Sequence, residues 1–369
     1  MPVYIHERQD WPKFLWDHEK LSNLLILLRH KQGLLAGGMR SIGFTLQEET
    51  ILHTLTQDVV KSSEIEGKIL DQTQVRSSVA RHLGMDNVTL NKADRNIEGV
   101  VELMIDATQN FNQPLTKERL FIWHTALFSA ESDKYQKTKV GAWRRGPVQV
   151  VSGRMYKETV HFEAPPFERV DQEMNLFLKW LNDEKSIDLV LKSAIAHLWF
   201  LTIHPFEDGN GRIGRAIADL LLARSENSSR RFYSLSTQIQ LERKSYYEVL
   251  EQTQKGSLDI TIWIEWFFNC LQRSIENTLA TLETIIHKTH FWEALTRVPL
   301  NERQRKMINC LLDGFVGKLT STKWAKIAKC SQDTAYRDIL DLIDKNILTK
   351  NEKGGRSTSY SILEPKSQQ

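Results

Sequence analysis

Only three cysteines occur in the 369 residues, Cys270, Cys310 and Cys330. Their spacing matches no metal-binding pattern, so they read as reduced structural thiols. No hydrophobic run approaches the ~18 residues of a membrane helix, so no membrane partner is expected. The opening MPVYIHERQDWPKF is too polar and charged for a signal peptide, and a cytoplasmic protein is expected. Internal repeats are missing, as are low-complexity segments apart from the polar tail EPKSQQ. Strand patterning is scarce. Its clearest instance is residues 141–166, where Val148 to Val151 and Val160 to Phe162 flank a glycine-containing turn, in a chain otherwise dominated by helical periodicity. A mainly α fold follows, long enough for a core domain and a smaller appendage.

The net charge of +3 is unevenly placed. Residues 300–369 hold 13 Lys plus Arg against 8 Asp plus Glu, and the remainder holds 36 against 38. The positive excess therefore lies wholly in the C-terminal segment.

The densest chemistry lies in HPFEDGNGRIGR, His204 to Arg215. The preceding stretch, Ile187 to Ile203, is apolar almost all round and reads as a buried helix. Pro205 ends it by disfavouring the helical region for His204. The chain turns through Gly209, Asn210 and Gly211, and a second helix is expected from about Arg212. A loop rich in backbone N–H groups at a helix N-terminus favours anions, and Arg212 and Arg215, three residues apart, add two positive charges. Phosphates are the natural guests. Asp208 suits a Mg²⁺ ion shared with substrate phosphates. His204 suits proton abstraction from an attacking hydroxyl near neutral pH, and Phe206 reads as the anchor that buries the loop. GNGRIG also fits a dinucleotide-binding fingerprint formally, but a helix precedes it where that fingerprint needs a strand. A loop that merely caps two helices would explain Gly209 and Gly211, but not His204, Asp208 and two arginines together.

This segment resembles the signature of the Fic family, HPFx(D/E)GNGRxxR, at every specified position. The resemblance implies a helical core with a β-hairpin flap, and transfer of AMP from ATP to a hydroxyl of a target protein. His204 would deprotonate a target Ser, Thr or Tyr, and Asp208 would hold Mg²⁺. Gly209, Asn210, Gly211 and Arg212 would cradle the α and β phosphates, and Arg215 the γ phosphate. A phosphotransferring branch of the family carries Lys in place of Gly211, and a phosphocholine-transferring branch carries Ala in place of Gly209. This chain has the AMP-transfer form at both positions.

SSEIEG, Ser62 to Gly67, fits the family's inhibitory pattern (S/T)xxxE(G/N), with Ser62, Glu66 and Gly67 at the specified places. It also reads as an ordinary helix end capped by Gly67, and both readings can hold at once. In the family reading Glu66 lies against Arg215 and takes the space of the γ phosphate. Carboxylate and phosphate are both bidentate acceptors for one guanidinium. The same Glu66 could instead position a water that removes AMP from a modified target. The 141–166 hairpin resembles the family's flap, whose edge registers a target segment by strand addition. SYYEVLEQTQ resembles the segment that completes the adenine pocket, with Tyr246, Tyr247 and Gln254 as contacts. His197 reads as a satisfied core histidine, and the helix holding Trp263 and Trp266 as the closure of the core.

Beyond Pro299, helices over Glu302 to Leu312, Thr322 to Ala328 and Gln332 to Ile343 precede a strand, a turn at Gly354 and Gly355, and a second strand. The order resembles a winged helix. Gln332, Tyr336, Arg337, Lys353 and Arg356 are candidate DNA contacts, opposed by Asp333, Asp338 and Asp341 on the recognition-position helix. Dimerisation or target docking is the other role open to this segment. The expected division is a helical extension at 1–110 including the inhibitory helix, a Fic core at 111–290 and a winged helix at 300–369. A helix is expected over His18 to His30, with Trp11 and Trp16 packed on the core. Expected partners are ATP with Mg²⁺, a target protein bearing a hydroxyl, a second copy of the chain, and DNA through the C-terminal segment. The alternative function is a DNA-binding regulator that uses the Fic core as a nucleotide sensor.

Overall fold

A computed structural model describes residues 3–85, 93–128, 140–154, 157–315, 317–351 and 358–363, of which 153, 154, 157 and 158 are described in backbone only. Helices dominate. The first unit, Met1–Thr278, contains α1 (His18–Ser41), α2 (Phe44–Ile65), α3 (Gln72–His82), α4 (Arg95–Gln109) and α5 (Lys117–Phe128). A hairpin follows, β1 (Gln149–Arg154) and β2 (Lys157–Glu163). Then come α6 (Val170–Asp183), α7 (Leu189–Ile203), α8 (Asn210–Glu226), α9 (Leu235–Leu241), α10 (Arg243–Gln254) and the start of α11 (Thr261–Ala294).

Helices α7 and α8 are the centre of this unit. The Asp188 side chain accepts from the N–H groups of Val190 and Leu191 and so starts α7. Burial then runs from Val190 to Ile203 without a break. Such a helix has no solvent face, and each large side chain fully buried contributes ~1.5–3 kcal/mol. Gly214 lets α8 approach α7, since a Cβ there would lie 3.2 Å from Leu201 Cδ2. Around the pair, Leu55, Val59, Val101, Met104, Trp123, Phe177, Phe200 and Phe206 join one core.

The N-terminal stretch is tied into this core. Leu15 pairs in parallel with Asp259, and Trp11 and Phe14 meet Trp199 edge to face at 6.2 and 5.6 Å. Trp16, by contrast, donates to its near neighbour His18 at 3.2 Å. Helix α1 continues to Ser41, eleven residues beyond the expected His30, despite Gly33, Gly37 and Gly38. Its buried stripe of Leu21, Leu28, Gln32, Leu35 and Met39 outweighs the low helix propensity of glycine. Residues 1–110 thus share one compact unit with the following helices.

The second unit, Leu279–Gln369, contains the end of α11, then α12 (Glu302–Leu312), α13 (Ser321–Ala328), α14 (Gln332–Asp344) and the antiparallel pair β3 (Leu348–Lys350) and β4 (Tyr360–Ile362). Asn301, Thr320 and Ser331 cap the three helices through their side chains. Met307, Ile308, Trp324, Ala335, Ile339 and Leu342 form its core. Lys353, Gly354, Gly355 and Arg356, the expected turn between the strands, lie outside the described residues. All three cysteines are free, with Cys270 buried. Among the described residues no helix is long and apolar enough to cross a membrane.

Candidate active site

The loop between α7 and α8 is built by two left-handed turns and one side chain. His204 ends α7 at φ 51° and ψ 58°, a left-handed conformation unusual outside glycine. Pro205 forbids the helical alternative, as expected, but the chain takes the left-handed region instead of an extended one. Gly209 turns the chain again at φ 84°. Helix α8 then starts at Asn210, two residues earlier than expected. The cause is the Asn210 side chain, which accepts from the Phe206 N–H at 3.0 Å and donates to the Phe206 carbonyl at 2.8 Å. That side chain therefore braces the loop and leaves its backbone for any anion contact. Phe206 is fully buried and stacks on His124 at 4.2 Å.

His204 Nδ1 lies 3.2 Å from the Leu201 carbonyl, an arrangement that places the proton on Nδ1 and leaves Nε2 as the acceptor. Burial lowers the imidazole pKa to about 4, opposed by the Leu201 carbonyl and assisted by Arg144. At neutral pH the ring is in the base form. Arg144, which no sequence pattern singled out, holds this corner: its Nε donates to the His204 carbonyl at 2.8 Å and its backbone N–H to the Pro205 carbonyl at 2.9 Å. The same guanidinium donates to the Gly146 and Pro165 carbonyls, linking the loop to both ends of the hairpin.

Helix α2 brings Ser62 and Glu66 to α8. Gly67, at φ 77°, closes the helix, with its N–H on the Glu64 carbonyl and that of Lys68 on the Ser63 carbonyl. Arg215 is fully buried and points at this end. Its Nε donates to Ser62 Oγ at 2.8 Å, its Nη2 to the Ser62 carbonyl at 2.6 Å, and its Nη1 lies 2.8 Å from Glu66 Oε1. The Glu66 carboxylate rests over Gly211 in the first turn of α8, where the helix dipole favours an anion. A Cβ at Gly211 would stand 1.9 Å from Glu66 Oε1. Only glycine leaves that space.

One turn beyond the Ser62–Arg215 contact lies a buried polar cluster the sequence did not reveal. Asp58 of α2 accepts from Ser234 Oγ, and Asp219 of α8 lies 3.0 Å from Arg231 Nη2. Burial and the neighbouring Asp219 hold the Asp58 carboxyl well above the usual carboxylate range. The proton it retains lets two acids share one buried site.

A cavity of about 790 Å³ opens between α2, the hairpin and α10. Glu66, His204, Gly211, Tyr246, Tyr247 and Gln254 all line it. Tyr246 is buried with its hydroxyl 3.0 Å from His197 Nε2, and Nδ1 of that ring lies 3.0 Å from the Gly214 carbonyl. His197 is thus a satisfied core histidine that also fixes Tyr246. The Tyr247 hydroxyl donates to the Ile65 carbonyl at 3.4 Å, and Gln254 donates to Thr202 Oγ1 at 3.3 Å. Asp208, Gly209, Asn210, Arg212 and the fully buried Arg215 are not among the residues that line this cavity. Asp208 is half exposed at the loop's outer edge, with Oδ1 accepting from the Gly209 N–H at 2.6 Å and Oδ2 4.0 Å from Arg212. Arg212 is buried beside the Phe128 ring.

Buried neutral imidazoles give the fold a pH dependence. Burial lowers His124 to about 4 and His197 to about 3, as it lowers His204 to about 4. The unfolded rings take up protons near pH ~6.5, so stability is full above that value and is lost as pH falls towards the folded values. The carboxyls of Asp58 and Asp219, both raised by burial, work in the opposite sense, against these three rings and His6, which burial also lowers. The urea midpoint is expected to drop between pH 7 and pH 5; an unchanged or rising midpoint would contradict neutral burial of these rings.

Two family models match the chain, a domain of unknown function over residues 4–85 and the Fic/DOC family over residues 114–222. A probable protein adenylyltransferase of Aquifex aeolicus is 34% identical over 97 residues, 26% of this chain and 28% of that protein. The protein adenylyltransferase Fic of Nematostella vectensis is 31% identical over 138 residues, 37% of this chain and 30% of that one. These matches span less than a third of either relative. Among solved structures, a Fic family protein from Desulfovibrio desulfuricans G20 aligns with a TM-score of 0.54 at 21% identity, covering 94% of this chain and 97% of that one. Fic-1 from C. elegans aligns at 0.50 and 20% identity, covering 72% and 74%. At these identities the structures speak for the fold alone. With the loop, the two helices that flank it and the family match all falling on the same segment, residues 114–222 form a Fic/DOC family domain.

Proposed function

We propose that this chain is a protein adenylyltransferase that moves AMP from ATP to a Ser, Thr or Tyr hydroxyl of a target protein, and that Glu66 restrains it. The observation that carries this reading is the meeting around one cavity of His204, Gly211 at the start of α8, and Glu66, whose carboxylate pairs at 2.8 Å with the buried Arg215 behind it. The curated relatives are named protein adenylyltransferases, which supports the same chemistry. In this reading His204 Nε2 takes the proton from the target hydroxyl. The hydroxyl oxygen attacks the α phosphorus, the bond to the β-phosphate oxygen breaks, and pyrophosphate leaves. Tyr246, Tyr247 and Gln254 border the part of the cavity proposed for the base.

Asp208 suits Mg²⁺. It is one half-exposed carboxylate at the loop edge, and Mg²⁺ takes few protein ligands and fills its remaining positions with water and phosphate. When bound, the ion would neutralise phosphate charge. The incubation that tests the reading uses Mg²⁺ and ATP labelled in turn at the α and γ phosphates, with wild type, Glu66→Gly and Glu66→Gly/His204→Ala. Covalent α label on target protein from the extract, raised by the first change and lost with the second, is expected. Covalent γ label alone would mean a kinase, and no label in any variant, with cell extract supplied as target, would reject transfer.

For the second unit we infer a winged helix with α14 in the recognition position. What favours DNA here is the fate of the acidic residues. Asp338 is buried against Arg303 at 2.8 Å, and Asp341 is held by Lys345 and Gln304 at 2.6 and 2.7 Å. Asp333 stays exposed, alongside exposed Gln332, Tyr336 and Arg337. Duplex affinity is expected to fall steeply with salt, with a log–log slope of about −0.9 per phosphate contacted. A salt-independent interaction, or none at low salt, would leave docking of protein as the role of this unit.

A further inference from the structure

Ser152, His161 and Glu251 form a line of hydrogen bonds on the wall of the cavity, and nothing in the reaction above uses it. Ser152 Oγ lies 2.5 Å from His161 Nε2, and His161 Nδ1 lies 2.7 Å from Glu251 Oε2. The other carboxylate oxygen of Glu251 is 2.5 Å from Lys255 Nζ. Glu251 therefore holds the proton on Nδ1, which leaves Nε2 to accept from the serine hydroxyl. This is the order of parts that activates a hydroxyl nucleophile: hydroxyl, imidazole, and a carboxylate that orients the imidazole.

The three residues come from three elements, and the backbone brings them together. Val150 pairs with Phe162 and Val151 with Val160, so His161 is the extra residue of a β-bulge. A bulge re-aims a side chain out of the regular alternation. Here it turns the His161 ring towards Ser152 on the neighbouring strand and towards Glu251 on α10. A hairpin needing only a tether to α10 would be served by the His161–Glu251 pair. The Ser152 contact adds a base to a hydroxyl that lines the same cavity as His204.

We propose that Ser152 is a covalent modification site of this chain, an internal acceptor for the nucleotidyl group of a nucleoside triphosphate bound in the cavity, with His161 as its base. The inference rests on the nucleotidyl-transfer reading of that cavity. Ser152 Oγ forms a bond to the α phosphorus, its proton passes to His161 Nε2, and the bond from the α phosphorus to the departing pyrophosphate breaks. The product is a phosphodiester between Ser152 and the nucleoside. A modified Ser152 would fill part of the cavity from the hairpin side.

The test uses the full chain carrying Glu66→Gly, incubated with Mg²⁺, ATP labelled at the α phosphate and cell extract, followed by peptide mapping. The adenylyl group is expected on the peptide containing Ser152. It should be absent in Ser152→Ala and at least tenfold weaker in His161→Gln, each measured relative to label on other hydroxyls in the same reaction. Label elsewhere but not at Ser152, or equal labelling of Ser152 without His161, overturns the inference and leaves nucleotidyl transfer standing. No label anywhere overturns both.

Discussion

AMP transfer to target protein by the Glu66→Gly chain is expected to fall about 10²–10⁴-fold when His204 is also changed to alanine, the usual contribution of a positioned general base. The geometry explains why no neighbour can substitute. Nδ1 is committed to the Leu201 carbonyl, Nε2 is left to accept, and the left-handed backbone and the Arg144 bond to the carbonyl hold the residue in place. His197 and His124 are buried and engaged elsewhere, with Tyr246 and with the Gly141 N–H, and His161, which lines the same cavity, has its two nitrogens committed to Ser152 and Glu251. The loss should appear in kcat, while equilibrium binding of ATP stays close to that of the parent, because the imidazole acts on the target hydroxyl. A rate retained within a few-fold would remove His204 from the reaction.

Wild-type activity is expected to rise about 5–150-fold on Glu66→Gly, the range of a typical coupling between competing sites. The carboxylate lies 2.8 Å from the buried Arg215 guanidinium and over the first turn of α8, the two features that would otherwise hold phosphate. The change leaves the helix end intact, since Glu66 is the cap residue of α2 at φ −86° and ψ 9°, a conformation glycine accepts. The remaining Arg215 bonds go to Ser62, so α2 stays docked. Glu66→Gln keeps the shape and removes the charge, and should give an intermediate rise. Equal initial rates for wild type and Glu66→Gly, measured with α-labelled ATP and the same targets, would rule out restraint by Glu66.

Much of this site is legible along the chain because its parts are local. His204, Asp208, the glycines, Arg212 and Arg215 fall within twelve residues, and their chemistry follows from residue type and a helix–loop–helix pattern. The apolar run ending at Ile203 and the β signal of residues 141–166 announce α7 and the hairpin for the same reason. Short-range periodicity and turn chemistry are properties of neighbouring residues.

Other features are decided only by packing. Asn210 belongs to the motif by sequence, yet its side chain turns inward to Phe206, because the loop's own backbone groups needed partners once buried. Arg144, whose role the β signal of residues 141–166 does not announce, anchors the His204 corner through three backbone carbonyls. The length of α1 follows from its buried stripe rather than from its glycines. Asp58 meets Asp219 and Arg231 only when α2 lies beside α8. Ser152, His161 and Glu251 span about one hundred residues of chain and come together through a bulge that no composition signals. By itself the sequence determined the mainly helical class, the glycine-rich loop that is the candidate anion site, and the candidate base. The contact of Glu66 with Arg215 is expected only through the family resemblance, and the tertiary structure alone decided that it lies over Gly211, because a contact between residues some 150 positions apart depends on which helix faces share a core.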